Sequence, residues 1–166
     1  SFTTEGDNIA LGRPAKGSFD KEIPDPGVDT TKPRLARATD GDLHYITGMC
    51  MSHNPAVADQ MIDIDLGKRT NVSRIDVYFW GLAYPETINI LTSPDDRDWK
   101  VQREKFSTAD SVTIQNDAGE LLKKITIPAS TFTTFRNLLI LTSTGTKIKT
   151  LKPDIGPFQG FYLADV

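Results

Sequence analysis

Between Gln60 and Trp80 the chain reads QMIDIDLGKRTNVSRIDVYFW. Ile62, Ile64 and Leu66 alternate with Asp63 and Asp65; further on, Ile75, Val77 and Phe79 alternate with Asp76, Tyr78 and Trp80. A period of two sends one face of each segment to a core and the other outward, so two strands are expected. Gly67-Lys68-Arg69-Thr70-Asn71 is the expected polar connection, opened by a glycine that can take a positive φ. Downstream, Ile88 and Ile90 place a strand over 87–92. Val112 and Ile114 mark a short strand, Ile125 and Ile127 its partner, and Asn116-Asp117-Ala118-Gly119 the turn between them. FRNLLILT (135–142) is nearly continuous in apolar residues, as a buried strand would be, and GFYLADV (160–166) is expected to close the fold. ELLKK (120–124) is the one stretch that reads as a helical turn. Short strands separated by turn signals indicate an all-β antiparallel sandwich or barrel.

The segments between these strands are irregular. A polar passage runs from Arg13 past Gly17, Pro24, Pro26, Gly27 and Pro33, a density of prolines that favours extended or turning backbone. Loops of that length in a compact domain are usually functional or loosely ordered. No repeat, low-complexity tract or linker interrupts the chain, so its 166 residues read as a single domain able to bury a sizeable core.

Charge and reactive groups narrow the function. A formal net charge of −3 argues against an unspecific nucleic-acid surface. The one cysteine, Cys50, has no internal disulfide partner. No apolar run reaches the roughly 20 residues that span a bilayer. SFTTEGDN at the start carries neither the basic nor the apolar part of a signal peptide, as expected equally of an excised module and of a mature product. No HExxH, GxSxG or phosphate-cradling glycine loop appears. Cys50 lies between Met49 and Met51 without a basic neighbour to activate it. The pairs Asp63/Asp65 and Asp95/Asp96 are expected on an exposed strand face and in a turn, where carboxylates are solvated, so a glycosidase has little support. Asn71-Val72-Ser73 matches a glycosylation sequon but reads as turn residues.

Six segments in order, NIALGRPA (8–15), ATDGD (38–42), IDIDLGKRTNVSRIDVYFW (62–80), INILTSPDDRDW (88–99), FRNLLI (135–140) and YLADV (162–166), resemble the discoidin family. This is also called the coagulation factor 5/8 C-terminal type, and it includes family 32 carbohydrate-binding modules and fucose-binding lectins. The resemblance covers nearly the whole chain and implies an eight-stranded, jelly-roll, galactose-binding-domain-like β-sandwich. The chain departs from the family pattern in three places. GMCMS (48–52) stands where a tryptophan commonly follows the ATDGD motif, the closing acid is Asp165 where many members have Glu, and the terminal cysteine pair of animal members is absent. These differences point to a microbial module.

On its own, Asp40-Gly41-Asp42 is a turn with solvated acids. The resemblance implies instead a structural calcium, with carbonyls from Arg37, Asp42 and Ala164 and side chains from Asp40, Thr47 and Asp165. Hard cations of this kind take about 6–8 oxygens. Loops at one end of a sandwich carry function, and sugars need an aromatic platform and hydrogen-bonding partners for their hydroxyls. The candidates are His44, His53, Asn54, Arg34, Tyr84 and Phe158, whereas Trp80 and Trp99 fall where the resembled family usually has core residues, which implies packing for both. The expected function is a non-catalytic carbohydrate-binding module, outside the cell or at its surface and part of a larger protein, with glycan as partner. The alternative is a protein-interaction or adhesion domain on the same fold. A lipid-binding surface around Phe158, Lys149 and Lys152 is a weaker reading.

Overall fold

The computed structural model describes residues 8–23, 27–55, 58–128, 134–144, 147–149 and 162–166. Its strands are β1 (Ala15–Gly17), β2 (Cys50–Met51), β3 (Met61–Asn71), β4 (Arg74–Trp80), β5 (Tyr84–Pro85), β6 (Thr87–Ser93), β7 (Lys100–Ser107), β8 (Val112–Gln115), β9 (Leu121–Pro128), β10 (Thr134–Thr142), β11 (Ile148–Lys149) and β12 (Tyr162–Asp165). Two five-stranded antiparallel sheets, ordered β1-β3-β10-β6-β7 and β2-β12-β4-β9-β8, carry the fold, and β11 pairs with β5 in a small ribbon. This is an all-β sandwich, one of the two architectures that the alternation allows and the one that the resemblance implies.

The two segments of the 60–80 stretch lie in opposite sheets. Ile62 and Ile64 of β3, Ile88 and Ile90 of β6 and Ile140 of β10 meet Val77 and Phe79 of β4, Ile125 and Ile127 of β9 and Leu163 of β12 in one buried cluster. Each such side chain stabilises the fold by roughly 1.5–3 kcal/mol through the apolar area it removes from water. A second cluster lies on the outer face of the β4 sheet, where Tyr45, Met49, Met51, Ile23 and Val28 pack with Trp80 and Tyr78. The described parts of the polar passage, through Ile23 and Val28, are thus packed onto a sheet face.

Three expectations change, and one strand is new. Gly67–Asn71 is not a connection: β3 runs on through it, paired with the start of β10 (Thr134 opposite Asn71), and the turn falls at Val72–Ser73. Gly67 takes φ 86° there, and its N–H donates to Asp65 Oδ1 at 2.7 Å. Residues 121–124 are the start of β9, with Glu120 just before it, because hydrogen bonding to β4 and β8 outweighs a local helical preference. Sequence reading passed over β7, KVQREKFS, which has no apolar alternation; it is an exposed edge strand held by β6. Asp63 is not solvated: it is 3% exposed, with Asn137 Nδ2 donating to it at 3.1 Å. Lys16, reaching over from β1, has its ammonium 3.7 Å from Asp63.

Candidate functional site

The pairing registers set the ends of β2, β4, β8 and β10 beside the starts of β3, β6, β9 and β12. The described parts of loop 52–60, the 81–86 connection and the turn 116–120 therefore gather at one end of the sandwich. His53, in the first of these, has Nε2 2.8 Å from Asp20 Oδ1, and both side chains are at least half exposed. Asn54, beside it, is half-buried, and its carbonyl accepts from Gln60 Nε2 at 3.5 Å. Asn116 Oδ1 accepts from the N–H groups of Ala118 and Glu120, both at 3.0 Å, an Asx arrangement that shapes the 116–120 turn. The turn is tied to the 43–45 segment by Asn116 Nδ2 donating to the Leu43 carbonyl at 3.0 Å and by Glu120 Oε1 accepting from Tyr45 N–H.

His44 spans the gap between these two segments. Its Nδ1 is 2.8 Å from Asp42 Oδ1 and its Nε2 makes a short hydrogen bond with Asp117. The hydrogen bonds with Asp117 and then Asp42 raise the imidazole above its ordinary range. Tyr45 stacks on Trp80 with ring centroids 4.4 Å apart, so Trp80 serves packing, as expected. Tyr84 is 8% exposed, β5 is paired with β11, and the Lys123 ammonium lies 5.4 Å from its ring centroid; little ring surface is left for a ligand. Arg34 is exposed, with Nη1 3.8 Å from Glu22 Oε2 on the flank of the outer cluster. Phe158 lies outside the described residues.

Of the expected metal set, the structure describes Arg37, Asp40, Asp42 and Thr47 with their side chains. The closing strand does arrive beside the turn, with Val166 N–H donating to the Ala38 carbonyl at 2.9 Å. The side chains of Ala164 and Asp165 lie outside the described residues. Arg37, expected to lend a carbonyl, is fully buried, and its guanidinium donates to Glu22 Oε1 (3.0 Å) and to the carbonyls of Asp29 (2.9 Å), Lys32 (3.0 Å) and Met49 (3.3 Å). Asp40 Oδ1 accepts from Asp42 N–H, Asp42 Oδ1 from His44 N–H and Asp42 Oδ2 from Thr47 Oγ1 at 2.5 Å. Burial raises the Asp42 carboxyl, but the hydrogen bonds from Thr47 and His44 bring it below the usual range. The Asp42 carbonyl lies against Gly48, where any Cβ would collide with it. The remaining Asp40 oxygen and the Thr47 carbonyl both accept from the Lys32 ammonium, at 2.7 and 2.9 Å. Among the described residues no three His, Cys, Asp or Glu side chains converge as a metal group. The described donors fit an ammonium rather than a divalent ion. Sequence reading missed Lys32, Asp117, Asp20 and the Arg37 side chain; nothing local marks Lys32, which stands between Thr31 and Pro33 in the proline-rich passage.

No family model matches the sequence, and no curated protein matches it closely enough to count as a relative. Solved structures do match the fold. The module CpGH89CBM32-4 of Clostridium perfringens, in complex with GlcNAc-α-1,4-galactose, is 17% identical with a TM-score of 0.60, over 99% of this chain and 94% of that one. Chitosan-binding module 2 of a chitosanase/glucanase from Paenibacillus sp. IK-5, in complex with chitotriose, is 19% identical with a TM-score of 0.59, over 95% of each. The lectin-binding domain of lectinolysin, a His mutant complexed with Lewis b, is 17% identical with a TM-score of 0.58, over 97% of this chain and 94% of that one.

Proposed function

We propose that this chain, which shares the β-sandwich of family 32 carbohydrate-binding modules, is itself a non-catalytic carbohydrate-binding module. In this reading it takes glycan on the loops at the end of the sandwich where His53 and His44 lie. The observation that carries the reading is the match in fold: it runs over nearly the whole of this chain and of modules solved with sugars bound. The chemistry of the end loops supports it. The His53–Asp20 and His44–Asp117 pairs each join a ring nitrogen to a carboxylate, so together they offer the donors and acceptors that sugar hydroxyls require. Arg34 and Asn54 are the further polar candidates, and Phe158 is the candidate for a stacking ring.

Binding at a single such site would be weak, and tethering to a larger protein or repetition would supply the avidity. A position outside the cell or on its surface belongs to the same proposal. Among the described residues no helix is long and apolar enough to cross a membrane. The calcium implied by the resemblance is left out of this reading, since the described donors already hold Lys32.

The test is a glycan array covering arabinose, galactose, fucose and aminosugars, run with calcium and again with chelator. Binding to one sugar class supports the proposal. Indifference to every glycan in both conditions would sink it and turn the search to protein partners, the other use of this fold.

A further inference from the structure

A turn that holds calcium in place brings several oxygens to one point and leaves them for the metal. Here Asp40 Oδ1 and both Asp42 carboxylate oxygens accept from donors within the turn. Asp40 Oδ2 and the Thr47 carbonyl converge instead on Lys32 Nζ, at 2.7 and 2.9 Å, and Asp42 Oδ2 lies 3.8 Å from the same nitrogen. An ammonium offers three donors on a compact charge, which matches two close oxygens and a third, from the Asp42 carboxylate, just beyond.

The placement of Lys32 is built from beneath. Arg37, 0% exposed, takes the carbonyl of Lys32 itself at 3.0 Å and that of Asp29 at 2.9 Å, fixing the backbone from which the lysine reaches. Asp29 closes the same segment by accepting from Thr31 N–H at 2.9 Å. The lysine side chain is 31% exposed, so its charge is only partly solvated and depends on the acids it faces.

We propose that the Lys32 ammonium is the cation of this turn, doing in this chain what a bound calcium is expected to do in the family it resembles, and that the protein takes no calcium here. Lys32 is a positioning residue: it neutralises Asp40 and Asp42, holds the Thr47 carbonyl, and so fixes the 40–48 loop that carries His44 toward Asp117. The proposal is independent of which ligand the end loops bind.

Thermal unfolding in calcium and in chelator tests it directly on the unmodified protein, beside Lys32→Ala and Lys32→Arg. The wild type should have the same Tm in both conditions and give no heat of calcium binding by titration calorimetry. Lys32→Ala should melt several degrees lower in chelator and recover part of that loss when calcium is added, because the freed oxygens then accept the ion. Lys32→Arg should stay nearer the wild type and remain indifferent to calcium. A loss of stability that calcium leaves untouched in Lys32→Ala would mark a lysine that merely packs, and would overturn the substitution. A wild-type Tm that rises with calcium would overturn it outright, and that measurement stands even if Lys32→Ala fails to fold.

Discussion

Asp63 shows how much one residue's surroundings decide. Burial first, and then the hydrogen bond shared with Asp96, push its carboxyl up to about 6, against the pull of the Asn137 amide and Lys16. Asp96 is held below the usual range by its hydrogen bonds with Asp63 and Lys16. The folded protein keeps a proton on Asp63 that the unfolded chain gives up near 3.8. Its contribution is therefore whole below about pH 4 and is lost as pH rises to about 6. The Asp96 contribution has the opposite sign and is lost only on further acidification. Relative to Asp63→Asn, the wild type should lose ~1–3 kcal/mol between about pH 4 and about pH 6.5, read from urea midpoints. A difference that grows in favour of the wild type over that window would mean Asp63 is ionised throughout. Arg37 is the second residue of this kind. Arg37→Ala strips partners from three carbonyls and Glu22, and should cost about 3 kcal/mol or more in chemical denaturation. A cost below about 1 kcal/mol would show that water replaces the guanidinium.

Among the elements, strands with one buried face were legible and strands without one were not. β4, β6 and β10 follow their apolar positions, whereas β7 exists because β6 offers hydrogen bonds along its edge. The run through Gly67 is similar. Asp65 is clamped by Arg136 of β10, with Nε–Oδ1 2.9 Å and Nη2–Oδ2 3.2 Å, so a polar stretch that reads as a turn is held as strand by its neighbour. β1 depends on a glycine for its place: Gly17 has φ 139°, and a Cβ there would run into the Met61 carbonyl. Gly17→Ala should cost ~1–3 kcal/mol and loosen β1 from β3. Hydrogen exchange at Ile62 and Ile64 that stays as slow as in the wild type would refute the loosening.

At the scale of the molecule, the two sheets bring loops that are far apart in sequence to one end. If that end binds sugar, His53→Ala and Asp117→Ala should each weaken binding by about tenfold, the worth of one good hydrogen bond at ~1.4 kcal/mol, with Tm nearly unchanged. Binding that survives both substitutions would move the site off these pairs. Sugar binding should also be indifferent to chelator if Lys32 holds the 40–48 loop.

Alternation alone established the all-β class and the position of the inner strands, because a period of two is a local signature of one buried face; the choice of sandwich over barrel came from the resemblance. The sequence also placed the turn at Asn116–Gly119, and the resemblance implied the packing role of Trp80. The tertiary structure decided which strands share a sheet, that polar β7 and the run past Gly67 are strands, and that Asp63 is buried. It also decided the partners of the candidate residues. His44 meets Asp117 across 73 positions of chain and His53 meets Asp20 across 33. Lys32 meets Asp40 and Thr47 from a backbone whose carbonyl buried Arg37 holds. Hydrogen bonds and ion pairs between distant segments leave no periodic trace, since their donors and acceptors are common residues whose meaning is set by what the fold places opposite them.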